Sequence, residues 1–262
     1  MGSVQADDGT RIEYDDVGSG PPLVLVHGIT ENRHAWDPIL PALGERWRVI
    51  ALDLRGHGAS ERRAPYDPVT MATDVHAVVR DAGADAPLVV GHSLGGVVVS
   101  AYGGARFPSR AIVNVDQPLA LGGFKEALEP LVPMLRGTRE EFDTAVGIIF
   151  EVLDGPLPAE ERTRLDALSS PEPEVVLGVW GTVFDTSAED LDLLAGDLAA
   201  GIDVPYLSLH GSDPGDDYPD WLGAVVPDAI VEIWPAAGHY PHLTEPDRFV
   251  RRLAAFDPAR SG

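Results

Sequence analysis

Ser93 stands between two glycines at a spacing that suits a nucleophile, in Leu88-Val89-Val90-Gly91-His92-Ser93-Leu94-Gly95-Gly96. An apolar β-type run enters the stretch, and a second apolar run, Val97 to Val99, leaves it. G-x-S-x-G in that setting is the pattern of a nucleophile elbow, where a strand turns sharply into a helix with the serine at the apex. A serine held in a strained, left-handed-type backbone pushes its Oγ into the open. Its neighbours at −2 and +2 must then be nearly free of side chain for the backbones to pass. Gly91 and Gly95 meet that need, and Gly96 lets the new helix approach the sheet. Read alone, the five residues fit equally well a tight turn whose serine faces solvent.

The elements that must position this serine alternate along the chain. Leu23 to Val26, Arg48 to Leu52, Leu88 to Val90, Ala111 to Val115 and Val204 to Leu209 are short apolar runs. Such runs mark strands buried on both faces of a mainly parallel sheet. Arg11 to Val17 and Ile230 to Trp234 add two more strands. Helical segments are expected over Trp36–Leu43, Thr70–Arg80, Leu94–Phe107, Tyr218–Val226 and Pro246–Phe256. Strands alternating with helices give an α/β fold. From about Leu119 to Ala200 no strand of the sheet type is evident. The text there is helical, with candidates at 126–135, 139–153 and 160–168 and proline-rich joints between them. The expected organisation is a core of residues 1–117 and 201–262 with an inserted helical cap of residues 118–200.

Composition narrows the partners. The net charge of −23 repels nucleic acid and anionic membranes. Lys125 is the only lysine, and the absence of cysteine rules out disulfides, thiolate catalysis and cysteine metal sites. No apolar run approaches the roughly 20 residues of a membrane helix. The N-terminus is polar and acidic, unlike a secretory signal, so a cytoplasmic location is expected. Neither a phosphate-cradling loop nor an H-E-x-x-H metal motif is present, and no cofactor is expected.

Four signals in order carry a resemblance over nearly the whole chain: His27-Gly28 after a strand, Asp53 to Ser60 as D-x-R-G-x-G-x-S, the Gly91 to Gly95 elbow, and Gly238-His239 near the end. In these the sequence resembles the α/β-hydrolase fold superfamily. The likeness implies a serine nucleophile, Ser93, activated by a histidine later in the chain. His239 is that base, and His242 is its competitor; His27, His57, His92 and His210 read as structural. The acid has two candidates. Asp213 follows the Val204 to Leu209 strand, where most of the superfamily keeps it, but sits one residue short of the usual place after Gly211. Asp116 ends the strand after the elbow helix, and Asp116-Gln117-Pro118-Leu119 resembles the acid-x-Pro-Leu turn of zearalenone-type lactone hydrolases. Asp116 is preferred, with Asp213 as the alternative; Asp216 and Asp217 read as solvated loop charges. The backbone N–H groups of Leu94 and Ile29 would form the oxyanion hole.

A cap over the elbow implies a pocket lined from residues 119–185. Phe124, Leu128, Met134, Phe150, Trp180 and Phe184 are candidates, with Trp36 beside the oxyanion loop. Few cations in the cap argue for an uncharged, moderately hydrophobic small-molecule substrate. The expected activity is hydrolysis of a carboxylic ester or lactone through an acyl-enzyme on Ser93. A thioesterase, a perhydrolase or a carbon–carbon bond hydrolase would use the same three residues. A ligand-binding receptor that keeps them without turnover is the alternative of a different class.

Overall fold

Apolar runs without polar alternation become interior strands of one sheet in the computed structural model of the chain, which describes residues 1–260. The strands are β1 (Gly2–Gln5), β2 (Arg11–Gly18), β3 (Pro22–Val26), β4 (Arg48–Leu52), β5 (Leu88–His92), β6 (Ala111–Val115), β7 (Tyr206–His210) and β8 (Ile230–Ile233). They lie in the order β1-β2-β4-β3-β5-β6-β7-β8. The β1–β2 and β2–β4 pairs are antiparallel, and the other pairs are parallel. Every residue of β5, β6 and β7 is buried, as strands covered on both faces must be.

The period of two sends alternate side chains to opposite cores. Val24, Val26, Val89 and Ile112 join one. Leu23, Leu25, Val90 and Val113 join the other, with Trp47, Trp234 and Phe249. The core helices are α1 (Leu40–Gly44), α2 (Pro68–Asp81) and α3 (Leu94–Gly104). Between β6 and β7 come α4 (Gly122–Leu128), α5 (Val132–Leu135), α6 (Arg139–Asp154), α7 (Ala159–Leu168), α8 (Pro173–Asp185) and α9 (Ala188–Ala199). After β7 follow α10 (Tyr218–Val225), α11 (Pro241–Thr244) and α12 (Pro246–Phe256). The sheet and its flanking helices are those of the α/β-hydrolase fold.

Several local expectations shift. The acidic N-terminus contributes β1, because Val4 pairs with Ile12 on the sheet edge. The 36–43 helix divides into a 3-10 turn at Arg33–Trp36 and the short α1. Prolines explain the break: Pro38 and Pro41 lack the N–H that would continue one helix. The same cause splits 126–135 at Pro130 and Pro133 into α4, a 3-10 turn and α5. The last two helices before β7, α8 and α9, are additional to the expected three.

The Asp53 to Ser60 turn is held by the buried Asp53. Its Oδ1 accepts the Arg33 N–H at 2.8 Å and its Oδ2 the Ala59 N–H at 2.8 Å. His27 Nε2 accepts the Leu54 N–H at 3.0 Å, tying the end of β3 to this turn. Among the described residues no helix is long and apolar enough to cross a membrane.

Candidate active site

Ser93 joins β5 to α3 with φ 52° and ψ −120°. A non-glycine residue there stores on the order of 1–3 kcal/mol of strain. Its N–H donates to the Val115 carbonyl at 3.0 Å, and its carbonyl accepts the Gly96 N–H at 2.7 Å. The flanking glycines have no alternative. A Cβ on Gly91 would lie 2.0 Å from the Gly95 carbonyl oxygen, and one on Gly95 would lie 2.3 Å from that of Val26. The turn thus exists only with these two residues.

His239 follows β8 on a loop turned by Gly238, whose φ is +64°. Its Nδ1 lies 2.7 Å from Asp116 Oδ2. Asp116 leaves β6 with φ 54°, and its own N–H donates to the Leu209 carbonyl at 2.7 Å. The Gly211 N–H donates to Asp116 Oδ1 at 2.7 Å, so both carboxylate oxygens are engaged. Burial by itself would raise the Asp116 carboxyl. The His239 hydrogen bond and charge, with the Gly211 N–H, outweigh burial and hold it below the usual carboxylate range.

The other acids and histidines stand elsewhere. Asp213 is exposed and lines the same cavity as Ser93 and His239, but its Oδ1 accepts the Gly215 N–H at 2.9 Å, closing its own loop. Asp216 and Asp217 are exposed. His242 is buried between Trp36 and His92, with ring centroids 4.6 Å and 4.7 Å away, and burial pushes it well below its ordinary range. His210 Nε2 pairs with the Ser208 hydroxyl at 2.8 Å. His57 is likewise buried, and burial lowers it to about 3.

Ser93, Asp116 and His239 line one cavity of about 470 Å³ together with Ile29 and Leu94. Neither the Ile29 nor the Leu94 N–H donates to another group among the described residues. Phe124 and Trp180 line the cavity from the cap, edge to face at 5.9 Å, with Leu153, Val179 and Val183. Among the described residues no lysine or arginine lines it. Trp36 does not line the cavity. It is fully buried in the core that holds Leu23, Leu25 and Trp234, where its ring packs at a tilt of 39° against His242. Leu128, Met134 and Phe184 also stay outside: Leu128 is buried in the core, Met134 packs against it, and Phe184 backs Trp180. Phe150 lines a separate cavity of about 340 Å³.

Three contributors escaped sequence reasoning. Gly211 supplies a donor to the acid, and Gln117 adds polar lining. Glu31, only 4% exposed, accepts the Gly28 N–H at 3.1 Å. The sole sequence signal for Glu31 was a charge set close behind His27-Gly28. Among the described residues no three histidines, aspartates or glutamates group as metal ligands would. A serine hydroxyl, an imidazole oriented by a carboxylate, and two N–H donors in one cavity have the components of nucleophilic acyl transfer.

Over 260 residues the chain is 30% identical to a non-heme haloperoxidase from Rhodococcus erythropolis, covering 91% of this chain and 93% of that protein. A soluble epoxide hydrolase from Corynebacterium sp. is 47% identical over 92 residues, which are 35% of this chain and only 32% of that relative's length. The structure of an esterase from Rhodococcus sp. ECU1013 is similar with a TM-score of 0.75 at 27% identity, over 97% of each chain. Residues 23–252 match the alpha/beta hydrolase family, and the chain belongs to that family.

Proposed function

We propose that the protein is a serine hydrolase that cleaves an uncharged, moderately hydrophobic carboxylic ester or lactone. One observation carries this reading: His239 is hydrogen-bonded to Asp116 at 2.7 Å in the cavity that also holds the strained Ser93. Ser93 Oγ attacks the substrate carbonyl while His239 Nε2 takes its proton. The Ile29 and Leu94 N–H groups receive the developing oxyanion, each such donor contributing about 2.7–4 kcal/mol in the transition state. The tetrahedral species collapses to an acyl-enzyme as His239 returns the proton to the leaving alcohol. Water then attacks the acyl carbon while His239 takes its proton, and the second tetrahedral species collapses as His239 passes that proton to the departing Ser93 Oγ, which frees the acid. Asp116 keeps the imidazole in the tautomer that leaves Nε2 open.

The partial likeness to an epoxide hydrolase does not alter this reading. A carboxylate at the elbow would form an alkyl-enzyme ester, whereas Ser93 forms an acyl-enzyme. The whole-length likeness to a haloperoxidase supports a second reading, in which the acyl group passes to hydrogen peroxide in place of water. A panel of p-nitrophenyl esters tests the main proposal. Turnover abolished by Ser93→Ala, with an organophosphate adduct on Ser93 by mass spectrometry, is the expected outcome. Lack of both would remove the proposal, and single-turnover hydrolysis would favour a ligand-binding receptor.

A further inference from the structure

We propose, resting on that reading of Ser93 and His239, that Glu31 is a positioning residue that clamps the oxyanion loop to the base loop through His92. Its carboxylate is 4% exposed. Oε2 accepts the N–H of Gly28, at 3.1 Å, one residue before the Ile29 donor. The same oxygen lies 3.8 Å from His92 Nδ1, beyond a hydrogen bond but within ion-pair range. That nitrogen, buried, has no hydrogen-bond partner among the described residues. On the far side of the ring, Nε2 lies 2.8 Å from the His239 carbonyl oxygen. A carbonyl only accepts, so His92 Nε2 carries a proton and donates it; the ion pair on the other side of the ring needs a second proton, on Nδ1, which makes His92 an imidazolium facing the carboxylate.

The surroundings close around this link. The His92 ring packs on His239 at 4.7 Å and on Tyr240 at 4.8 Å between centroids. Burial, followed by the charge of Glu31, raises the Tyr240 hydroxyl well above its ordinary range. A Cβ on Gly28 would lie 3.2 Å from Glu31 Oε2, 3.2 Å from His92 Nδ1 and 3.3 Å from Ser93 Cβ. One buried carboxylate therefore touches the oxyanion loop directly and the backbone of the base through a single imidazole. Asp116 orients the His239 side chain; Glu31 holds its main chain. An apolar residue would fill the same space without the desolvation cost of a buried charge, so packing alone gives no reason for a glutamate here.

The test uses the full chain and p-nitrophenyl butyrate, with wild type, Ser93→Ala, Glu31→Gln, His92→Gln, His92→Ala and the Glu31→Gln/His92→Ala double variant. Glu31→Gln keeps an oxygen for the Gly28 N–H but loses the charge facing His92. It should lower kcat about ten- to hundredfold, the scale of a small misplacement of reacting groups, with KM within about threefold and near-UV circular dichroism unchanged. His92→Gln retains an N–H near the Nε2 position and should keep more activity than His92→Ala. The double variant should fall no further than the worse single one, since both cut one link. Wild-type kcat in Glu31→Gln, or defects that multiply, would overturn the proposal. So would a loss confined to folding, seen as an altered dichroism spectrum. If Glu31→Gln does not fold, equal kcat in His92→Gln and His92→Ala overturns it. If wild type shows no turnover that depends on Ser93, the functional reading fails. The clamp is then judged by the NMR resonance of the His239 Nδ1–H, which must move in Glu31→Gln and sinks the proposal if it stays.

Discussion

The backbone N–H of Gly211 lies 2.7 Å from Asp116 Oδ1, opposite the oxygen that faces His239. The loop after β7, which resemblance offered as the home of the acid, supplies a donor that steadies an acid borne by β6. Among the described residues, Asp213 in the same loop bonds only its own turn.

Asp116→Asn should lower kcat by about 10⁴, because an amide at that place favours the wrong imidazole tautomer. Asp213→Ala should leave kcat within about threefold, the ordinary scatter of an exposed loop change. Steady-state kinetics on both variants decides. A collapse seen with Asp213→Ala alone would move the orienting role to that loop.

Trp36 and Trp180 should separate stability from substrate recognition. Trp36 is fully buried outside the cavity, so Trp36→Ala should cost about 3–5 kcal/mol of stability. Its conservative variant Trp36→Phe should leave KM unchanged. Trp180→Ala opens the cavity wall beside Phe124 and should change KM for bulky acyl groups by about tenfold, the order of an altered apolar pocket contact. Urea unfolding alongside kinetics reads both; a KM effect at Trp36 would contradict the arrangement.

Gly95→Ala tests the backbone crossing at the elbow. The new Cβ would meet the Val26 carbonyl oxygen at 2.3 Å and that of His27 at 2.8 Å, both main-chain atoms that cannot rotate away. A stability loss above about 4 kcal/mol is expected, an exceptional value for one methyl group. A variant that melts like wild type would refute it.

Glu31 should make stability acid-sensitive. Although burial favours its neutral form, His92 and the Gly28 N–H bring the folded carboxyl from the ordinary 4.5 down to about 2. Below 4.5 the unfolded chain takes up the proton first. The stabilisation is complete above that pH and drains away as pH falls towards 2. Urea unfolding above and below this window should show wild type losing stability more steeply than Glu31→Gln. The buried His57 titrates with the same sign in both proteins and cancels from the difference. Parallel curves would remove Glu31 from the account.

Legibility tracked how local each signal was. The β5 strand and Ser93 were readable because a sharp turn has a strict requirement for glycine at two positions. Strands such as β6 and β7 were readable as apolar runs. Asp116 could be preferred over Asp213 only by likeness, since its value depends on Gly211 and His239 arriving from far along the chain. Trp36 misled because an aromatic beside a loop says nothing about which face of the sheet it enters. Glu31 was silent for a related reason: its partners Gly28, His92 and Tyr240 come together only in three dimensions.

The strand order has a consequence for how such a protein diversifies. Ser93 and Asp116 close neighbouring strands, β5 and β6, and both precede the first cap helix in the chain. In the proposed mechanism the attacking group and its electrostatic support are thus synthesised before Phe124 and Trp180, the aromatic residues with which the 118–200 segment lines the cavity. Exchanging the 118–200 segment for another of similar span would alter the clientele while leaving Ser93 and Asp116 in place. His239 and Gly211, both delivered by the returning chain, must find their places again.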